Sequence, residues 1–259
     1  MLSCTDGLRF APLTERMERE ETLEDISDLQ KRMQILAQWM FEAKHLVVFT
    51  GAGISTESGL PDFRGPDGLW TRRDKGLPPQ KPVDWSKVEP NENHFAIVEL
   101  QNMGKLGFII SQNVDNLHLK SGIHPDLLAE LHGNVFKLKC ARCGTKWDNF
   151  PDMKSCPNCQ GRLVSSVVNF GDPMPVKEVK DSEWHSRHCD LFIVVGSSLV
   201  VYPAADMPRI ALRSGAKLVI INQGETPFDQ VCHLRFKERL GEVLPAAAAE
   251  LKELLRKCA

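Results

Sequence analysis

Two Cys-x-x-Cys pairs, Cys140/Cys143 and Cys156/Cys159, hold four of the chain's eight cysteines. Each pair sets two thiolates on a tight knuckle, and two knuckles complete a tetrahedral Zn–S4 centre. Four protein ligands leave no open coordination position, so zinc chemistry here is structural and not catalytic. Two disulfides or two redox pairs are the rival readings. A zinc ribbon that reads nucleic acid is a third use, disfavoured by flanks of mixed sign: Lys137, Lys139, Arg142 and Lys146 against Asp148 and Asp152.

Other residues could do chemistry of a different kind. Gly51-Ala52-Gly53 follows an apolar run, so its backbone amides could approach a pyrophosphate. Thr56 stands where the third glycine of G-x-G-x-x-G belongs, and a plain tight strand–helix turn reads equally well. No acidic residue ends the second strand as a ribose clamp, which argues against a hydride-transferring dehydrogenase. Gln112-Asn113-Val114-Asp115 brings two carboxamides and a carboxylate together. In Leu131-His132-Gly133-Asn134 one of the chain's eight histidines stands in a polar motif, although a lone histidine is more often structural than catalytic. His118 competes with it, and composition does not choose between them.

These residues need elements to hold them. His45–Thr50, Gly107–Ser111, Asp190–Val195 and Ala216–Ile221 are short β-branched, apolar runs, as in a parallel sheet covered on both faces. Each runs into a polar signature: Gly51-Ala52-Gly53, Gln112 to Asp115, Gly196-Ser197-Ser198 and Asn222-Gln223-Gly224. Ligands bind beyond the carboxyl ends of such strands, so one large site, for a nucleotide, is predicted there. Leu29, Met33, Leu36 and Met40 mark one face of a helix capped by Thr22 or Ser27. Asn91 caps a helix from Glu92 to about Met103; Ala204–Ser214 and Ala246–Lys257 are further helices. Two connections are far too long for simple crossovers, and the second contains all four paired cysteines. The fold class is therefore α/β: a Rossmann-like doubly wound parallel sheet with two insertions packed as a smaller lobe.

Composition sets the outer limits. The 259 residues are 42% hydrophobic and 25% charged, with a net charge of −2. That gives no support for a general nucleic-acid or membrane-surface binder, and no apolar run approaches a membrane span. Met1–Phe10 lacks the basic start and apolar core of a secretion signal. With Cys4, Cys189, Cys232 and Cys258 standing alone, an intracellular, reducing location is expected, cytoplasmic or nuclear.

The ordered set Gly51-Ala52-Gly53-Ile54-Ser55, Pro61-Asp62-Phe63-Arg64, Gln112-Asn113-Val114-Asp115, Leu131-His132-Gly133, the two Cys-x-x-Cys pairs, Val168-Asn169-Phe170-Gly171 and Gly196-Ser197-Ser198 resembles the sirtuins. These are NAD-dependent protein-lysine deacylases, and the match runs from about Leu29 to the C-terminus. The polar residues 1–28 read as an N-terminal arm, and the resemblance implies an NAD-binding domain built from 29–71, 105–136 and 165–259. It makes 72–104 a helical module and 137–164 a zinc module of the small lobe, with one structural Zn2+. It places Gly51, Ala52, Gly53, Thr56, Asp62, Phe63, Arg64 and Trp70 around NAD, and Gln112, Asn113 and Asp115 at the nicotinamide and its ribose. Gly196, Ser197, Ser198, Asn222 and Gln223 would hold the adenosine half, with the backbone near Leu240. His132 would be the base, with Asn113 and Asp115 sharing the catalytic work. An acyl-lysine peptide would pair as an added strand, with Val114, Val168, Phe170 and Gly171 lining its site.

The implied reaction starts with attack of the acyl oxygen on C1′ of the nicotinamide ribose. It ends in nicotinamide, free lysine and O-acyl-ADP-ribose. Mono-ADP-ribosyl transfer from the same site, or a non-catalytic NAD sensor, are the other functions the family frame leaves open. Two departures stand out. Asp172 replaces the usual Glu after Phe170-Gly171, and the one tyrosine, Tyr202, lies outside the small lobe, which disfavours acidic acyl groups. The run Gly68–Leu77 is similar to the chromatin-associated branch, while the compact zinc loop is similar to microbial members.

Overall fold

Asp28 accepts a hydrogen bond from the Gln30 N–H at the start of α1 (Leu29–Glu42). The structure is a computed structural model describing residues 28–148 and 153–258. Asp28 is thus the cap of this helix; the expected caps, Thr22 and Ser27, and most of the 1–28 arm lie outside the described residues. In chain order there follow β1 (Leu46–Thr50), a 3-10 turn (Ala52–Ser58), α2 (Leu69–Asp74), α3 (Glu92–Asn102), β2 (Leu106–Ser111), α4 (Leu117–Ser121) and β3 (Leu128–Glu130). The chain continues through β4 (Lys137–Cys140), β5 (Lys146–Asp148), β6 (Leu163–Ser165), α5 (Val176–His188), β7 (Leu191–Val195), α6 (Met207–Arg213), β8 (Lys217–Ile221), β9 (Leu234–Phe236) and α7 (Leu240–Cys258).

Six parallel strands are ordered β3-β2-β1-β7-β8-β9. The order reverses between β1 and β7, the switch point at which doubly wound sheets bind ligands. Register aligns the strand ends: Thr50 faces Ser111 on one side and Val195 on the other, and Val195 faces Ile221. All four polar signatures therefore leave the sheet at one edge.

Side chains alternate between two apolar layers, as the strand period of two requires. Leu46 and Val48 of β1 join Ile193, Ile221 and residues of α1, α3 and α7. Val47 and Phe49 join Phe192, Val194, Ile220 and residues of α6 on the other face. Within 72–104, α3 has the expected Asn91 cap, closed by a capping box with His94. Its Ala96, Ile97 and Leu100 sit in the first of these layers.

Three elements differ from expectation. The last helix begins at Leu240, not Ala246, and carries Pro245 inside it. A proline in the second turn forfeits one backbone bond, but Val243, Leu244, Ala247 and Leu251 on the buried face outweigh that loss. Ala204–Ser214 is divided into a 3-10 turn, Ala204–Asp206, and α6, with Pro208 in the first turn of the latter. The helix expected after the glycine loop is a 3-10 turn.

The interior holds histidines that burial keeps neutral. His118 is pushed down to about 4 and His94 to about 3, with burial the first cause in each. Unfolded histidines take up protons near pH 6.5 while these do not, so the unfolded state binds more protons and stability falls as pH drops from 6.5 toward 4. Each of the two contributes up to about 1.4 kcal/mol per pH unit over that window. Urea titrations at pH 7.5, 6 and 5 should show the midpoint falling; a flat profile would contradict the assignment.

Candidate active site

The four paired cysteines converge at one end of an antiparallel sheet of order β5-β4-β6. Their sulfurs all lie within 4.8 Å of one another, with Cys140–Cys159 at 3.5 Å and Cys143–Cys156 at 3.6 Å. A tetrahedron with 2.3 Å Zn–S bonds has edges of about 3.8 Å, so the cage fits Zn2+. The N–H groups of Arg142 and Cys143 point at the Cys140 sulfur, at 3.3 and 3.5 Å. Gly161 must be glycine here: a Cβ would stand 2.8 Å from the Cys140 sulfur. This is a site for one structural zinc, and the disulfide and redox readings fall away.

At the edge of the parallel sheet the glycines serve close backbone approach. Gly51 N–H donates to Val195 O and Gly53 N–H to Gly196 O, at 3.0 and 2.9 Å. A Cβ on Gly51 would stand 2.7 Å from Gly196 O, and one on Gly53 2.8 Å from Gly196 Cα. The two turns thus mesh at backbone distance, and the N–H groups of Gly51 and Gly53 are both spent on that contact. Thr56, in the third-glycine position, turns its hydroxyl back onto Gly53 O at 2.9 Å.

The loop after β2 is fastened from several sides. Ser55 Oγ donates to Asp115 Oδ2 at 2.7 Å and accepts from Asn113 Nδ2 at 3.2 Å. Asp115 Oδ1 caps α4 through Leu117 N–H, 2.9 Å. Ser197 Oγ donates to Gln112 Oε1, 2.7 Å, joining this loop to the one after β7. Asn113 Oδ1 is buried with no protein partner, an acceptor that a bound amide would satisfy.

His132 leaves β3 beside this loop. Its Nδ1–H donates to Gln112 O at 2.9 Å, which puts the free lone pair on Nε2. Burial lowers its pKa, only partly offset by that bond, so the ring is neutral at pH 7. His118, its rival, is sealed beneath the strand ends. Gly133 follows in a left-handed conformation, φ +78°, and a Cβ there would lie 2.0 Å from Ser166 O. Gly133→Ala is therefore expected to cost at least about 2 kcal/mol and to displace His132, read as a lower urea midpoint together with lost turnover.

An aromatic rim stands outside. Trp70 packs on Phe63 (5.1 Å between centroids) and Phe170 (5.8 Å), with the Arg64 guanidinium 4.7 Å above Trp70. Phe170 is 79% exposed, so the rim is open to solvent. Asp62 accepts from Gly65 N–H and is raised by burial above the ordinary carboxylate range. Val168 N–H donates to His132 O, 2.9 Å, bringing the 167–171 segment alongside the base, and Val114 O accepts from Val135 N–H. Asp172 closes its own turn, accepting from Asn169 N–H at 3.0 Å, which shows what the shorter acid does here.

Further along the edge, Gly196 (φ +64°) leads through Ser197 and Ser198 into Leu199, a buried non-glycine residue at φ +54°. Asn222 Nδ2 donates to Gly224 O at 2.9 Å, beside the exposed Gln223, and Leu240 begins α7 nearby in sequence. His132 follows β3 and Asn222 follows β8, five strands spaced about 4.8 Å apart. The crevice is therefore about 19 Å long, the reach of an extended dinucleotide, and this donor set fits NAD. Sequence reasoning missed Ser55 as the bridge between Asn113 and Asp115, and Ser166, whose Oγ donates to Asn134 O at 2.7 Å; only a fold brings these together.

Known proteins share this arrangement. The model of the Sir2 family matches residues 51–81 and 77–203. The chain is 40% identical over 252 residues to the NAD-dependent protein deacylase 2 of Archaeoglobus fulgidus, covering 88% of this chain and 97% of that one. It is 42% identical over 219 residues to the NAD-dependent protein deacetylase SRT1 of Oryza sativa subsp. indica, 80% of this chain but 45% of the longer plant protein. A solved structure of a Sir2 histidine variant with deacetylated p53 peptide and 3′-O-acetyl ADP ribose superposes with TM-score 0.70 at 33% identity, covering 84% of this chain and 98% of that one. Likeness on this scale, spanning the zinc cage and most of the crevice, makes the chain a member of the Sir2 family, the sirtuins.

Proposed function

We propose that the crevice holds NAD with its nicotinamide against Asn113 and Asp115 and its adenosine half along Gly196–Ser198, Asn222 and Gln223, and that His132 is the general base. The activity is NAD-dependent deacylation of protein lysine, with the acyl group transferred to ADP-ribose. NAD supplies the acceptor: nicotinamide leaves, one water is consumed late in the sequence, and the acyl group departs as O-acyl-ADP-ribose with free lysine.

The protein's part is to position, to shield and to move one proton. Asn113 and Asp115, held by Ser55, orient the carboxamide of the nicotinamide and strain the bond that breaks. His132 takes a ribose hydroxyl proton at Nε2, the nitrogen its bond to Gln112 O leaves unprotonated. Phe63, on the rim, keeps water from the reacting carbon, where early attack would only hydrolyse NAD. The acyl-lysine peptide pairs as an added strand along Val168–Gly171, with Val114 and Phe170 beside the acyl chain. The body 29–71, 105–136 and 165–259 carries the cofactor half in this reading, flanked by 137–164 and by 72–104, whose α3 packs into its core. No helix among the described residues is long and apolar enough to cross a membrane, and a four-cysteine metal cage suits a reducing, cytoplasmic setting.

The observation that carries this reading is the His132 ring, pinned through Nδ1 beside a loop whose Asn113 acceptor lacks a partner. The test is mass spectrometry of lysine peptides, from acetyl to myristoyl, incubated with NAD. Deacylated peptide with equimolar nicotinamide and O-acyl-ADP-ribose is expected. Nicotinamide release without deacylated peptide would assign the site to ADP-ribosyl transfer instead.

A further inference from the structure

Three polar side chains occupy the interior beneath the loop 112–118. Thr50 is 0% exposed, Ser111 1% and His118 3%. Thr50 and Ser111 are the last residues of β1 and β2 and face each other in the ladder. Being a strand end does not demand this. β7 and β8 end level with them in Val195 and Ile221, both apolar and fully buried. The polar trio is confined to the half of the sheet edge under the loop that carries Gln112, Asn113 and Asp115. Polar groups in such a place cost stability unless bonded, and their bonds fix one geometry; among these three, His118 Nδ1 is a buried atom left without a partner.

The bonds form a chain. His118 Nε2 lies 2.9 Å from Thr50 Oγ1, Thr50 Oγ1 donates to Ser111 Oγ at 3.0 Å, and Ser111 Oγ accepts from Asn113 N–H at 3.1 Å. With the Thr50 proton committed to Ser111, Thr50 accepts from His118 Nε2–H. His118 itself sits on α4, the helix that Asp115 caps. The network therefore ties both ends of the loop, Asn113 through its backbone and Asp115 through the helix it caps, to the same two strand ends. Against the other side of the ring lies His94, 5.2 Å between centroids, whose Nδ1 is taken up in the Asn91 capping box. Asn91 Nδ2 in turn donates to Ile54 O, beside Ser55.

We infer that His118, acting through Thr50 and Ser111, is a positioning residue for the nicotinamide end of the crevice. It holds the Asn113 backbone and the start of α4 so that the Asn113 amide and Asp115 carboxylate are already in place when NAD arrives. It touches neither NAD nor peptide and transfers no proton in the reaction. The inference rests on the NAD reading of the crevice given above.

Its test separates positioning from mere folding. Thr50→Val keeps the shape and removes the hydroxyl; His118→Leu removes the ring nitrogens; His118→Gln puts an amide N–H near the place of Nε2. Thr50→Val and His118→Leu should raise KM for NAD and lower kcat, about ten- to hundredfold in kcat/KM for NAD. KM for the acyl peptide and the zinc content should stay at the parent values. His118→Gln should recover most of the loss. In the parent protein, nitrogen-15 NMR should find His118 in the Nε2–H form, neutral from pH 8 to pH 5. Unchanged NAD kinetics in Thr50→Val, peptide and NAD constants moving together, no recovery in His118→Gln, or an Nδ1–H tautomer would each overturn the inference. Should the parent chain turn over no acyl peptide, the deacylase reading fails. The NMR result and NAD-binding titrations of the same variants still decide the role of His118.

Discussion

His132→Ala is expected to fold like the parent and to lose about 10²–10⁴-fold in turnover. The ring is only partly buried and makes one hydrogen bond, so truncation removes little core packing. What it removes is the imidazole pinned beside the loop by its bond to Gln112 O, and water is a weaker base in its place. The pH profile carries the same information. Burial lowers the His132 pKa, so the active neutral form persists below pH 6.5, and the acid limb of kcat should fall in that range. Activity is thus held through neutrality and lost as pH drops through the lowered pKa. Turnover of an acetyl-lysine peptide, with a thermal melt on the same sample, checks both halves. A variant keeping more than a tenth of parent turnover would remove His132 from the base's role.

Loss of zinc should do comparable damage by a different route. Cys156 is wholly buried within the cage, and Cys156→Ser leaves three thiolates and a weak ligand. Apparent binding energies of structural zinc in small finger peptides run to about 10–16 kcal/mol, far beyond what three strands of three or four residues supply. The sheet β4-β5-β6 should therefore open. The damage reaches the cleft because Ser166, next to β6, bonds Asn134 in both directions and presses its carbonyl against Gly133. Elemental analysis should give one zinc per parent chain. The variant, or the parent after strong chelation, should become protease-sensitive near 141–162 and fall below about one hundredth of parent turnover. Full turnover in metal-free protein would show that cage and cleft are energetically separate.

How far the residues alone disclosed this molecule follows from how local each signal is. The four central strands were readable because burial on both faces writes itself as an unbroken apolar run. The cysteine cage was readable because ligand spacing is a short-range property. Edge strands β3 and β9, three residues each, carry no such run, and their pairing depends on neighbours far along the chain. Helix α5 has a mean composition too polar to announce itself and buries little but Ser182 and Ser186. The start of α7 was hidden by Pro245, whose local cost is overridden by packing against α1 and α3. In the site, single residues with motif context were legible, whereas the couplings among them were not. Between His118 and His132 the residues alone give no choice; the family resemblance singles out His132, and the burial of His118, a fact with no local signature, agrees with it.

The chain enters the zinc sheet just after Gly133 and leaves it just before Val168, and one serine hydroxyl clasps the two passages. Everything beyond that clasp is an appendage, tied once more to the body where Lys146 of β5 pairs with Glu178 of α5. Residues inserted between the knuckles would lengthen the appendage at its far end and leave the clasp, and so the imidazole beside it, where they are. A lineage built on this plan can remodel the surface it shows to partners by insertion and deletion while its reaction chemistry stays fixed. Recognition and catalysis are then free to evolve at different speeds within one polypeptide.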